Sequence, residues 1–166
     1  MVTRANLEQL YATWAPDVRR FAYWLTHDAA AADDITSETF VRALTRFESI
    51  RTESVKGYLL TIARNLVLTE SRRRRRLRPL DAEHRDPGRD PATQAEAKSD
   101  MESVLRAVND LPPGEREALV LRAVEELPYD EIARVLGISV VAVKVRVHRA
   151  RARLIARTGR TQGERS

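Results

Sequence analysis

Tyr129-Asp130-Glu131-Ile132-Ala133-Arg134-Val135-Leu136-Gly137-Ile138-Ser139 is the stretch that decides how this chain is read. A short amphipathic helix ends at Leu136, a glycine follows, and Ser139 stands where it can cap a second helix running from Val140 to about Arg157. Glycine accepts the left-handed backbone that a tight interhelical turn often requires. Ala133 is small enough for two helices to cross closely, and Ile138 fills the space between them. The spacing is that of a helix-turn-helix. An ordinary helical hairpin would use the same residues.

Charge separates these two readings. Residues 101–136 carry 4 basic and 8 acidic side chains, whereas residues 137–166 carry 8 and 1. In the second helix Val143, Val147, Ala150 and Leu154 recur at steps of four, three and four, and so share a core-facing stripe. Lys144, Arg146, Arg149, Arg151 and Arg153 lie on or beside that helix. A basic helix placed directly after such a turn favours a polyanion, and DNA is the favoured partner.

Upstream, Leu119, Val120, Val124 and Leu127 give another amphipathic helix, closed by Pro128. Leu111-Pro112-Pro113-Gly114 separates it from a helix over about Ala92 to Asn109, whose buried face is Met101, Leu105 and Val108. Before that, Pro79, Pro87, Gly88 and Pro91 stand among acidic residues with little apolar surface to offset the entropy of ordering. Residues 79–91 therefore read as a flexible acidic linker. The segment 79–100 has a net charge of −3, between +5 for residues 1–78 and +3 for residues 101–166.

Residues 1–78 read as helices throughout. Leu7, Leu10, Tyr11 and Trp14 have helical spacing, and Pro16 is placed to open a second helix containing Val18, Phe21, Ala22, Trp24 and Leu25. Asp28 is a fitting N-cap for the next helix. There Ile35, Phe40, Val41, Leu44 and Phe47 form the apolar side, and Asp33, Asp34, Ser37, Glu38 and Arg42 include the polar positions. A turn-like segment follows to Glu53, and Ser54 caps a helix with Val55, Tyr58, Leu59, Ile62, Ala63 and Leu66. That helix ends in Arg72, Arg73, Arg74, Arg75 and Arg76. A helix C-terminus favours one or two cations through its dipole, but five adjacent ones call for external anions, of which phosphate backbone is the obvious source. A targeting tag or a membrane-surface patch is the alternative for this run. With no alternating strand pattern, the expected fold class is all-α, with helical domains at 1–78 and 92–166.

Composition bounds the chemistry. The chain has 166 residues, 43% apolar and 32% charged, and no cysteine, which excludes a disulfide scaffold, a thiolate metal site and a cysteine nucleophile. No apolar run approaches the roughly 20 residues that span a bilayer. The N-terminus lacks a signal-peptide core, and the tail after Arg157 is too short for a further domain, so a soluble, cytoplasmic protein without membrane insertion is expected. His27, His84 and His148 are scattered, and no glycine-rich phosphate loop is present. Asp33-Asp34 and Glu125-Glu126 fall on helix faces without a supporting base. No enzyme, metal or cofactor is expected. Of the 29 basic residues only Lys56, Lys98 and Lys144 are lysine. Arginine suits forked phosphate and guanine contacts, though a GC-rich genome would give the same bias.

Two blocks then stand out together. One is Ala32-Asp33-Asp34-Ile35-Thr36-Ser37-Glu38-Thr39-Phe40-Val41-Arg42-Ala43 followed by Tyr58 to Leu66; the other runs from Leu111-Pro112-Pro113-Gly114-Glu115-Arg116-Glu117 through Val143 to Arg151. In this order, joined by a polar linker, they resemble an extracytoplasmic-function sigma factor of the sigma-70 superfamily, the promoter-recognition subunit of bacterial RNA polymerase. The resemblance covers nearly the whole chain. It implies a sigma-2 domain on the −10 element and a sigma-4 domain on the −35 element. It puts Asp33, Asp34, Ser37 and Glu38 against the β′ clamp helices of core polymerase, an acidic face suited to a basic coiled coil.

The same resemblance places the segment 47–54 with Lys56, Arg64 and Asn65 at the −10 element, where melted bases enter pockets and arginines hold the displaced backbone. Arg72 to Arg76 would follow duplex phosphate upstream. Ser139, Lys144, Val145, Arg146, His148 and Arg149 fall in or beside the −35 major groove. Ser37 stands where relatives often carry Gln, Tyr58 where Trp is common, and Val145 where Ser is frequent. The implied partners are core polymerase, including its β subunit, and promoter DNA, with an anti-sigma factor frequent in the family although no residue here identifies one. DNA opening would use binding energy rather than nucleotide hydrolysis. Two other classes fit parts of the sequence: a stand-alone helix-turn-helix regulator, which should bind duplex DNA by itself, and a protein-interaction module with an incidental basic tail.

Overall fold

Apolar residues at helical spacing build seven helices in the computed structural model, which describes residues 4–46, 54–77 and 96–163. The expected linker 79–91 and turn 48–53 lie outside the described residues, as does Phe47. No strand occurs among the described residues, and no helix among them is long and apolar enough to cross a membrane.

Helix α1 spans Arg4–Thr26 without interruption, so Pro16 does not begin a second helix. The ring removes one backbone donor. Pro16 lies on the exposed side, however, while Val18, Phe21, Ala22 and Leu25 bury the next turns in the core, and that packing carries the helix through. His27 then takes a left-handed φ of 53°, and its N–H donates to the Tyr23 carbonyl at 2.7 Å.

Asp28 caps α2, Ala29–Thr45, by accepting from the Ala31 N–H at 3.0 Å. Helix α2 buries Ala32, Ile35, Thr36, Thr39, Phe40 and Ala43. The two threonine hydroxyls donate to the carbonyls of Ala32 and Ile35 at 2.7 and 2.6 Å, so neither is buried unsatisfied. Val41, expected on the apolar side, is 55% exposed. It lies six residues beyond Ile35, a rotation of about 240° away from the core. Helix α3, Val55–Leu77, is capped by Ser54, whose Oγ accepts from Gly57 N–H at 3.0 Å. Gly57, Leu59, Leu60 and Ala63 are its buried positions.

Helix α4, Glu96–Asn109, buries Leu105, Ala107 and Val108. Among the described side chains of α4 burial begins at Leu105, one turn beyond Met101, which is 56% exposed rather than buried as expected. Helix α5 begins at Pro113, where the missing donor costs nothing, and covers Pro113–Leu119. It then widens into a π-helical turn over Val120–Val124, closed by the Glu125 N–H on the Val120 carbonyl at 3.1 Å. Glu126 follows in the left-handed region, φ 57°, where the sequence suggests only a regular helix. Helices α6, Tyr129–Leu136, and α7, Val140–Gly163, complete the chain, α7 running past the expected end near Arg157.

One apolar cluster joins both halves of the sequence. Val18, Phe21, Leu59 and Leu60 belong to the same core as Leu121, Ile132, Val143 and Val147, and α3 packs on α6 while α1 meets α4 and the π-helical turn.

The hydrogen bond from Ala31, and secondarily Arg74 at 3.4 Å, hold the Asp28 carboxyl below its ordinary pKa of 3.8, against the opposing effect of burial. A depressed native pKa stabilises the fold above the unfolded value and is lost as pH falls through the native one. Asp28→Ala should therefore cost about 1 kcal/mol at pH 7. In urea titrations across pH, the gap to the wild type should close below about pH 4. Asp28→Asn should keep most of the cap at every pH.

Candidate nucleic-acid interface

The turn between α6 and α7 has the geometry that its residues demand. Gly137 sits at φ 66°, ψ 35°, and the N–H groups of Gly137 and Ile138 both reach the Ala133 carbonyl. Ser139 Oγ accepts from the Ala142 N–H at 3.1 Å, capping α7. Val143, Val147 and Ala150 are fully buried, and Leu154 is half-buried behind them. With that stripe fixed inward, Lys144, Val145, His148 and Arg149 are turned out to solvent.

Arg146 is the member of this set that is half-buried. Its guanidinium lies over Gly114, so close that a Cβ there would come within 3.0 Å of Nη1. Lys144 Nζ stands 5.7 Å from the Tyr129 ring centroid, and Arg122 Cζ stands 4.5 Å from the same centroid, both within cation–π range. No spacing in the sequence marks Arg122 as a partner of Tyr129. The left-handed Glu126 turns the chain between them, and no periodicity announces that turn. At the base of α7, Arg153 Nε lies 2.8 Å from buried Glu115 Oε2, and Arg157 pairs with Asp110.

The residues expected at a −10 element divide into two groups along α3. Asn65 and the run Arg72 to Arg76 are exposed. Arg74 also reaches Asp28 at 3.4 Å and Glu70 at 3.5 Å, within the sequence block to which it belongs. Lys56 and Arg64, by contrast, face the other half of the molecule. Their side chains are only 19% and 20% exposed. Lys56 Nζ donates to the Glu125 carbonyl at 2.9 Å, and Arg64 Nε donates to Glu117 Oε2 at 3.0 Å.

The acidic face of α2 forms as expected. Asp33, Asp34, Ser37 and Glu38 are all exposed, on the side opposite Ile35, Thr39 and Ala43. Arg19 lies 2.6 Å from Asp33, and Arg42 lies 3.0 Å from Glu38. Beside this face runs an open groove of about 720 Å³ between α1 and α2, with Tyr11, Arg19 and Tyr23 in its lining. The exposed aromatic Tyr11, edge-on to Phe40 with centroids 4.8 Å apart, gives no sign of that position in its sequence context.

Comparison with known proteins agrees with this geometry. Residues 10–77 match the family model of sigma-70 region 2, and residues 101–154 match that of sigma-70 region 4. The ECF RNA polymerase sigma factor EcfG of Rhodopseudomonas palustris is 35% identical over 143 residues, which is 85% of this chain and 78% of that protein. The ECF sigma factor SigM of Bacillus subtilis is 31% identical over 156 residues, covering 91% of this chain and 94% of the relative. Among solved structures, the sigma factor RpoE from Bartonella quintana, in complex with the anti-sigma factor NepR, superposes with a TM-score of 0.72 at 26% identity. That match covers 90% of this chain and 94% of that one.

The chain therefore belongs to the sigma-70 family of RNA polymerase subunits. Within it, this is an extracytoplasmic-function sigma factor, a promoter-recognition subunit rather than a stand-alone helix-turn-helix regulator.

Because a Cβ at Gly137 would meet no atom within 4 Å, replacing the glycine tests the backbone alone. Gly137→Ala should lower stability by about 1–2 kcal/mol, read from the urea midpoint, and Gly137→Asn by less.

Proposed function

We propose that the chain docks on core polymerase through α2 and reads two promoter elements with its two helical regions. Residues 1–78 serve as sigma-2 on the −10 element and residues 92–166 as sigma-4 on the −35 element, with 79–91 as the tether between them. The observation that carries this reading is the exposed basic stripe of α7, set directly after a capped glycine turn whose apolar side is fixed in the core.

Lys144 and Arg149 present donors that suit guanine O6 and N7, Val145 presents a methyl surface suited to thymine, and His148 lies beside them. Arg146 reaches the groove by leaving its place over Gly114. Ser139, at the start of α7, adds a phosphate contact. On the −10 side, Asn65 offers a base edge both a donor and an acceptor, while the exposed run Arg72 to Arg76 follows duplex phosphate. Lys56 and Arg64 join these once released from their carboxylate partners.

The protein works by binding rather than by catalysis, in the cytoplasm where the polymerase acts. Strand opening then draws on contacts with unstacked bases. An anti-sigma factor, such as the one that accompanies the Bartonella relative, fits as a regulator of this chain as well.

Run-off transcription with purified core polymerase on a promoter library tests the whole reading, and start sites preceded by paired −10 and −35 elements are the expected result. On the −35 half of that library Arg149→Ala should lose about 1–3 kcal/mol of discrimination at one base position. An unchanged preference profile removes Arg149 from base readout. Asp34→Lys with Glu38→Lys should weaken association with core at least about tenfold through like-charge juxtaposition, with an unchanged circular dichroism spectrum. Core titration followed by fluorescence anisotropy measures it, and unaltered affinity would move the docking face elsewhere.

A further inference from the structure

Two of the cations placed at the −10 element by the proposed function are already occupied, and their anions come from sigma-4. Glu125 has a side chain with no exposed surface. Arg20 forks onto it, Nε to Oε1 at 2.9 Å and Nη2 to Oε2 at 2.8 Å. Lys56 Nζ lies 3.6 Å from Oε2 of the same carboxylate while donating to its backbone carbonyl. Asp17 steadies both cations, at 2.7 Å from Arg20 and 3.9 Å from Lys56. Eight residues before Glu125, in α5, buried Glu117 is held by Arg64. The cations all belong to residues 1–78, and the two buried carboxylates to residues 101–166. Gly57 also faces the other region, for a Cβ there would stand at ordinary contact distance, 3.7 Å, from the Glu131 side-chain Oε2.

We propose that Glu117 and Glu125 form an internal latch, in which carboxylates take the places of DNA phosphates on Lys56 and Arg64 and hold sigma-2 closed on sigma-4. The functional half of this inference rests on the assignment of Lys56 and Arg64 to the −10 element; the closure itself does not. The latch must open before both elements are engaged. Their centres are about 25 base pairs apart, roughly 85 Å along B-DNA at about 3.4 Å per pair. A chain of this length packed as one body has a radius of gyration of about 15 Å and a diameter near 40 Å. The closed form therefore reaches only one element at a time.

The chemistry also makes the latch reversible. A buried carboxylate carries a heavy desolvation cost, which its paired cations offset without a large surplus. When sigma-4 swings away, water solvates Glu125 and Glu117, and Lys56 and Arg64 become available to phosphate. Exchange of one oxyanion for another leaves the Arg64 guanidinium and the Lys56 amine paired throughout. The ion pairs therefore set the geometry of closure more than its strength, the shared apolar surface supplies the cohesion, and a partner that binds only the open form must offset that surface to select it.

Because the chain has no cysteine, Thr13→Cys and Ala152→Cys, both on exposed positions, allow a donor and an acceptor dye to report the distance between the two regions of the full chain. Glu117→Gln/Glu125→Gln should raise the open-to-closed ratio at least about tenfold, seen as a fall in transfer efficiency with unchanged helical circular dichroism. Arg20→Gln, at a side chain 41% exposed, should act in the same direction and keeps the test readable if the double variant does not fold. The double variant should also bind a fluorescein-labelled, mixed-sequence single-stranded 20-mer several-fold more tightly. Glu126→Gln/Asp130→Asn, which removes the same formal charge from exposed positions, should show a smaller gain. Equal transfer efficiency in wild type, double variant and Arg20→Gln overturns the latch, as does an equal gain in DNA affinity in the control. A responsive latch in a chain that directs no run-off transcript leaves the closure standing and rejects the promoter reading.

Discussion

A carboxylate sealed from water must be met by cations, and Glu125 is met by two from distant parts of the chain. Its position therefore sets where α1, α3 and the end of α5 stand relative to one another. The apolar cluster supplies the bulk of the cohesion, since burial of Phe21, Leu59, Leu121 and Ile132 removes a large area from water. Apolar contact is not directional, however, and would tolerate some sliding between the two regions. The forked bond from Arg20 and the amine of Lys56 tolerate very little. Removing either partner strands a charge, so these few polar atoms fix a register that the surrounding side chains only allow.

Local features were readable in the sequence because their causes are local. Gly137, Ser139 and the stripe Val143, Val147, Ala150 each act within one or two helical turns, and all stand as the spacing indicates. The same holds for Asp28 and Ser54, whose side chains bond to amides three residues on. Pro16 misleads because proline's usual effect is decided by whether neighbouring turns are packed, a tertiary matter. Met101 misleads because helical periodicity fixes a face but says nothing about where a partner helix ends. Val41 needed only an angle to be placed correctly, and composition alone drew it into the core.

The candidate site was legible as a set of residue types and less so as a set of environments. The exposed faces of α2 and α7 follow from their buried sides. The fate of Lys56 and Arg64 does not, for their partners are 69 and 53 residues away, and the Arg20 to Glu125 pair spans 105. Ion pairs of that range leave no period. The arginine-rich composition also conceals a division of labour. The run Arg72 to Arg76 is exposed, with only neighbouring Asp28 and Glu70 reaching Arg74, whereas Arg20 and Arg64 are held by distant carboxylates, with Arg20 drawn into a more basic state chiefly by its hydrogen bond to Glu125.

The broadened turn at Val120–Val124 carries one residue more than an α-helix would place there. Each residue of an α-helix advances the azimuth by about 100°. The wider winding of the π turn absorbs that residue, so five residues turn the chain about as far as four α-helical ones would, and Glu125 still faces Arg20 and Lys56. The turn thus gives descendants of this chain a place where one codon can be gained or lost while the segments on either side keep their facing.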